Sequence, residues 1–260
     1  MDNKAALTLT SLAIGYNDGK RIYKVAEDIN AMLSVGELVS LIGSNGAGKS
    51  TLLRTISAFQ PPLSGEIVYD GCTEPKHSAS DLSRLLAIVL TGREPIYNLN
   101  AREVVAMGRM PYTGFLGRNS DNDSKVVANA MEMLGILTLA ERMVETLSDG
   151  ERHNVMIAKA LAQQTQIILL DEPTAFLDFK SRVQLMQTLR ALAREAKKAI
   201  LLSTHDLDLA LQLSDKLWVM DEGRMYTGTV QQLSDSGVLS TFVIGEGLEY
   251  DSTEKRIVIK

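Results

Sequence analysis

The octapeptide Gly43-Ser44-Asn45-Gly46-Ala47-Gly48-Lys49-Ser50 follows directly on the apolar run Leu38–Ile42. It spells G-x-x-x-x-G-K-[ST], a pattern whose chemistry requires a strand before it, a tight turn within it and a helix after it. Its glycines let the backbone curl so that successive N–H groups point inward at phosphate oxygens. The N-terminus of the helix opening near Lys49 adds a favourable dipole for an anion. Lys49 is therefore expected on the β- and γ-phosphates of a nucleotide, Ser50 on a magnesium ion, and Thr51 within reach of an α-phosphate oxygen. Few single features restrict a fold more: the chain must contain an α/β nucleotide-binding core.

The rest of the sequence supports that class. Short apolar runs alternate with longer amphipathic stretches. Glu66–Tyr69, Leu86–Leu90, Ile167–Leu170, Ala199–Ser203 and Leu217–Met220 each have the length of a central strand covered on both faces. Residues 92–163 differ, with helical patterns and no clear strand. Asn100 followed by Glu103 predicts a capped helix, and Val126, Val127, Ala130, Met133 and Leu134 are read as one helical face. The expected organisation is a nucleotide core over 1–91, a helical subdomain over 92–163, the second part of the core over 164–235, and an extension over 236–260. In that extension Thr241–Ile244 and Arg256–Ile259 are read as the strands of a hairpin around an Asp251-Ser252-Thr253 turn.

Composition closes off several classes. Hydrophobic residues make up 45% of the 260, enough for a substantial core, and the formal charge of -5 argues against a nucleic-acid partner. Cys72 is the only cysteine, so no intrachain disulfide forms. His77, His153 and His205 lack metal-ligand spacing. No stretch approaches the roughly 20 apolar residues that span a bilayer, and Leu7–Ile14, with its three hydroxyl residues, is no signal peptide. Attachment to a membrane requires a partner.

Ile167–Leu170 runs into Asp171-Glu172. A buried strand delivers both carboxylates to the sheet edge where ligands bind in open α/β folds. Asp171 is expected to hold magnesium, directly or through water. Glu172 is expected to act as general base or to orient the attacking water. Leu147-Ser148-Asp149-Gly150-Glu151 precedes this strand. Ser148 is a good N-cap and Glu151 completes a capping box, with Val155, Ile157, Ala158 and Leu161 turned inward along the helix that follows.

Together these segments resemble the ABC ATPase family, whose signature, typically LSGGQ, stands shortly before the acidic strand. The resemblance covers about residues 7–235 and implies a P-loop NTPase core with a mixed, mainly parallel sheet and an inserted helical subdomain. It implies that Ser148 and Gly150 contact the γ-phosphate of ATP bound to a second copy of the chain, and that Tyr16 stacks on adenine. Phe176-Leu177-Asp178 matches the loop that crosses the dimer interface, and His205 matches the histidine that holds the γ-phosphate beside the catalytic Lys49 and Glu172. Two signature positions depart from the pattern, Asp149 and Glu151; an acid beside a phosphate is repelled, so Asp149 is expected to point away. A third departure is Thr91, which stands where the family carries a glutamine that touches magnesium and the attacking water. A Thr hydroxyl can ligate magnesium but reaches less far.

The segment Gly108–Arg118, with Gly108-Arg109-Met110-Pro111, resembles the corresponding loop of cassettes that import iron–siderophore complexes, haem or cobalamin. The resemblance therefore implies ATP and Mg2+ as cofactors and a homodimer sandwiching ATP. It also implies an integral membrane permease, an extracytoplasmic cargo-binding protein, and a peripheral position on the cytoplasmic face of the inner membrane. A non-transport ABC ATPase of DNA repair or translation, and an export cassette, remain the alternatives.

Overall fold

A computed structural model describes residues 4–69, 72–73, 79–91, 96–113, 120–243, 248–254 and 256–259. Strands β1 (Ala5–Asn17) and β2 (Ile22–Ser34) form a long hairpin, and β3 (Leu38–Gly43) leads through the glycine-rich turn into α1 (Lys49–Ile56). Then come β4 (Ser64–Tyr69), β5 (Cys72–Thr73), α2 (Ala79–Leu85) and β6 (Leu86–Val89). Helices α3 (Ala101–Ala106), α4 (Asp121–Met133) and α5 (Asp149–Ala162) follow. Strand β7 (Ile167–Leu170), α6 (Phe179–Glu195), β8 (Ala199–Ser203), α7 (Leu207–Leu213), β9 (Lys216–Asp221) and β10 (Arg224–Gly228) come next. The remaining described elements are α8 (Val230–Asp235), α9 (Val238–Val243), β11 (Leu248–Asp251) and β12 (Arg256–Ile259).

The central sheet has the order β10-β9-β3-β8-β7-β6. All its pairings are parallel except β10 with β9, so the sheet is mixed and mainly parallel. Every residue of β3, β7 and β8 is buried. Alternate residues feed two cores, as the two-residue period of a strand requires. Leu38, Ile168, Leu170, Ile200 and Leu202 pack towards α3, α4 and α5. Val39, Leu41, Ile167, Leu169 and Leu201 pack towards α1 and a second, antiparallel sheet of order β2-β1-β4-β5. At roughly 1.5–3 kcal/mol for each fully buried Leu or Ile, these strands are firmly held, and the glycine-rich turn and the acidic pair extend from the C-terminal ends of β3 and β7.

Three expectations are corrected. Glu66–Tyr69 is a strand, but it belongs to the antiparallel sheet; β4 is exposed over its first half and buried only at Ile67 and Tyr69. Its true neighbour, β1, escapes the alternation rule because its register shifts at bulges and Ser11 takes a φ of 44°. On α4, Val127, Ala130 and Met131 are buried while Met133 is exposed. Val126 and Leu134 pack against the same core, so the face is the one read in the sequence except at Met133, with Met131 buried instead. In the extension, Thr241–Val243 belongs to α9, where Leu239 and Val243 sit one turn apart and bury together against α8; Ile244 lies outside the described residues. The hairpin exists, with β11 rather than this segment as its first strand. Its turn is the one expected, Asp251 Oδ1 accepting from the N–H groups of Thr253 and Glu254.

Between β6 and β7, the described residues hold no named strand. Capping boxes open α3 at Asn100/Glu103, α4 at Ser120/Asp123 and α5 at Ser148/Glu151. Arg109 is 4% exposed. It donates to Asp123 Oδ1 at 2.8 Å, to the Ala162 carbonyl at 2.8 Å and to Gln164 Oε1 at 3.0 Å, and its guanidinium lies 4.2 Å from the centre of the Tyr112 ring. Gly108 is required here, because a Cβ would stand 2.2 Å from the Lys159 carbonyl oxygen. The Gly-Arg pair of the 108–118 segment thus ties the helices together; residues 114–118 of that segment lie outside the described residues.

Candidate nucleotide site

Gly46 and Gly48 take φ of 81° and 104°, a backbone that side chains resist, and so curl the loop. Gly48 is the N-cap of α1 and offers no side chain to its N–H groups, which are left for an anion. Ser44, Asn45 and Gly46 are exposed, Ala47 and Ser50 half-buried. Gly43 is fixed by packing: a Cβ there would meet the Met220 carbonyl at 2.7 Å. Lys49 is 6% exposed and its ammonium donates to the carbonyls of Gly43 at 2.7 Å and Ser44 at 3.1 Å. Burial pushes its pKa down, while the nearby Glu172 and Asp171 carboxylates push it back up. Thr51 is buried, and its hydroxyl pairs with the Tyr16 hydroxyl at 2.8 Å. The Tyr16 side chain is thereby tethered to the loop's helix although the residue is half exposed.

Asp171 is 2% exposed. Ser203 donates to its Oδ1 at 2.6 Å and Thr91 to its Oδ2 at 2.7 Å. Glu172 takes a φ of 49°, uncommon for a residue with a Cβ. Its N–H donates to Ser203 Oγ at 2.9 Å, and its Oε1 pairs with His205 Nε2 at 2.8 Å. His205 follows β8 and is largely exposed; Asp206 beside it caps α7 and is paired with Arg182 of α6 at 2.9 Å. The sheet therefore brings Lys49, Asp171, Glu172, His205 and Thr91 to one edge. Ser203 belongs with them and was not singled out in the sequence, where its only signal is a hydroxyl ending an apolar run.

Ser148 and Gly150 stand apart. Among the described residues, neither bonds to the glycine-rich loop or the acidic pair of its own chain. The Ser148 hydroxyl donates to Glu151 Oε2 at 2.9 Å, and the Glu151 N–H returns to it at 3.3 Å. The Ser148 N–H, which donates to the same Oε2 at 2.9 Å, and then the Ser148 hydroxyl hold the Glu151 carboxyl below its ordinary pKa, with Arg142 adding a smaller pull. Gly150 packs on the loop after the acidic pair, where a Cβ would lie 3.1 Å from the Phe176 carbonyl. Asp178 of that loop caps α6 by accepting from the Ser181 N–H at 2.8 Å. Asp149 lines a hollow of about 280 Å³ with Ile88, Leu90, Thr91, His153 and Met156.

The donor set fits magnesium. Asp171 and Ser50 offer hard oxygens, and no group of three or more acidic, His or Cys residues exists among the described residues to build an all-protein cage. That suits an ion held by one carboxylate, water and substrate phosphates. No helix among the described residues is long and apolar enough to cross a membrane.

The sequence profile described as ABC transporter matches residues 26–175. An uncharacterised ABC transporter ATP-binding protein of Methanocaldococcus jannaschii is 40% identical over 81% of this chain and 71% of its own length. The iron(3+)-hydroxamate import ATP-binding protein FhuC of Bacillus subtilis is 35% identical over 90% of this chain and 86% of its own. Among solved structures, the dimeric bacterial ABC transporter cassette MJ0796 superposes with a TM-score of 0.77 at 27% identity, covering 86% of this chain and 98% of that one. With the phosphate loop, acidic pair and histidine at one sheet edge and the profile spanning most of the chain, this protein belongs to the ABC transporter ATP-binding family and is an ATPase.

Proposed function

We propose that two copies of this chain close head to tail over ATP and Mg2+ and so drive a membrane permease that imports a ferric siderophore. The observation that carries the catalytic reading is the edge at β7: Asp171 held by two hydroxyls, Glu172 turned out of the strand and paired with His205, and Lys49 close enough to feel both acids. Magnesium, with Asp171 and Ser50 as its protein oxygens, supplies charge neutralisation at the phosphates. Lys49 exchanges its two carbonyl partners for phosphate oxygens, and the uncapped amides of α1 bind the same group. Glu172 receives a proton from, or aligns, the attacking water, and His205 orients Glu172 and meets the γ-phosphate. Ser148 and Gly150, which make no bond to the nucleotide loop or acidic pair of their own chain among the described residues, serve the ATP of the second copy. The permease places the pair at the cytoplasmic face of the inner membrane, and an extracytoplasmic binding protein delivers cargo.

The Gly108–Pro111 segment supports import of cargo from the siderophore, haem and cobalamin group, and the choice of a siderophore within it rests on the 35% identity with FhuC across nine-tenths of the chain. In the decisive experiment, Glu172→Gln still binds ATP and forms a stable dimer while hydrolysis falls at least ~100-fold, the scale of a lost general base. Wild-type turnover in that variant removes the assignment. The cassette is then purified with its permease from membranes and assayed in proteoliposomes with ferric hydroxamate, haem and cobalamin binding proteins. Stimulation by haem or cobalamin alone replaces the siderophore reading.

A further inference from the structure

Asp171 and Glu172 are adjacent in sequence but face different tasks, so something must fix both at once. Ser203 is fully buried at the end of β8. The parallel register pairs Leu170 with Leu202, which sets Ser203 beside Asp171 across the strand gap. A serine hydroxyl has a single proton. The Glu172 N–H can only donate, so at 2.9 Å the Ser203 oxygen accepts there. Its proton is then committed to Asp171 Oδ1, at 2.6 Å. On the other side, Thr91 spends its proton on Asp171 Oδ2 at 2.7 Å. Both carboxylate oxygens are thus oriented by neutral hydroxyls, from Ser203 at the end of β8 and from Thr91 two residues beyond β6, and the same Ser203 oxygen pins the peptide that starts the left-handed turn at Glu172.

We propose that Ser203 is a positioning residue that locks the metal-binding Asp171 and the catalytic Glu172 into one unit, with Thr91 as the second donor to Asp171. The proposal rests on the ATPase reading of this edge and deepens it. It also gives Thr91 a task suited to its short reach: it acts through Asp171, where the family's glutamine acts at the metal. Removing Ser203 Oγ frees one carboxylate oxygen and leaves the half-buried Glu172 N–H without its acceptor. Removing Thr91 Oγ1 frees only the other oxygen.

Ser203→Ala and Thr91→Val are compared with wild type, each folded state being checked by thermal melting. Binding of a fluorescent ATP analogue is titrated with Mg2+ in the Glu172→Gln background, which separates metal handling from turnover. Both variants are expected to raise the Mg2+ half-saturation at least threefold while nucleotide binding without Mg2+ stays unchanged. In the Glu172 background Ser203→Ala is expected to lower kcat about 10- to 100-fold, the scale of ångström-level misplacement. Thr91→Val is expected to lower it less, because the Glu172 peptide keeps its anchor. Ser203→Thr, which keeps the hydroxyl, restores both readings. If Ser203→Ala fails to fold, Ser203→Cys decides by the same measurements, since its thiol fills the space but hydrogen-bonds poorly. A folded variant lacking the hydroxyl with wild-type kcat and Mg2+ half-saturation overturns the proposal. If Glu172→Gln itself still turns over, the catalytic reading fails instead.

Discussion

Two buried aspartates in this chain share a geometry and differ in company. Asp123, 7% exposed, lies in the helical region and accepts from Ser120 and from the Arg109 guanidinium. Asp171, 2% exposed, lies at the sheet edge, and the bonds to its carboxylate come from two hydroxyls, neither of them a cation. A buried carboxylate whose charge is met by an arginine has completed its work within the fold. One whose hydrogen bonds come only from neutral donors is oriented without a direct ion pair; Asp171 and the Lys49 ammonium feel each other's charge, and the carboxylate keeps its attraction for a further positive ion. The pairing of a buried acid, more than its burial, distinguishes structural from chemical use.

The largest expected effect sharpens that contrast. Asp171→Asn should cost at least ~100-fold in Mg2+-dependent hydrolysis, the scale of a lost preorganised electrostatic contact, with little change in melting temperature. Asp123→Asn should leave kcat near wild type and lower the melting temperature. If both variants lose only stability, the distinction collapses. Next in size, Arg109→Ala should destabilise the fold by roughly 3 kcal/mol, because it strips the partner from a buried charge and unbonds the Ala162 carbonyl. Denaturant unfolding measures it. A smaller effect follows from acid. Bonds from the Ser120 hydroxyl and amide, and then from Arg109, hold the Asp123 carboxyl at about 2, below its ordinary 3.8. A depressed folded-state value stabilises the fold above the unfolded one and is lost as pH falls from about 4 through 2. Wild type and Asp123→Asn should therefore differ in stability at neutral pH and converge as pH approaches 2. The smallest effect belongs to Tyr16→Phe, which removes one hydroxyl pair with Thr51. It should cost about 1 kcal/mol or less, while ATP affinity stays close to wild type because the ring is retained.

What the sequence could reveal follows the range of the forces involved. The phosphate loop, the acidic pair and the helix starts at Asn100 and Ser148 were legible because each is settled within a few residues by φ angles, caps and strand ends. The antiparallel sheet was not, since β1 reaches its partners only by shifting register, and the shift at Ser11 breaks the Leu7-Thr8-Leu9-Thr10 alternation. Thr241–Val243 read as a strand from its own composition, yet tertiary packing of Leu239 and Val243 makes it a helix. Ser203 was invisible for another reason: its role depends on which residue of β7 lies opposite it, 32 positions away.

That opposition carries a consequence for how the sheet finds its alignment. Ile167–Leu170 and Ala199–Leu202 are apolar on both faces, so sliding one strand past the other by a single residue exchanges one apolar side chain for another. Oil alone is nearly indifferent to the slip. The polar groups at the strand ends are not: a β7 shifted against β8 would strand the Asp171 carboxylate away from the Ser203 hydroxyl. Asp171 thus also serves as the index mark by which two nearly featureless strands are set to the right notch.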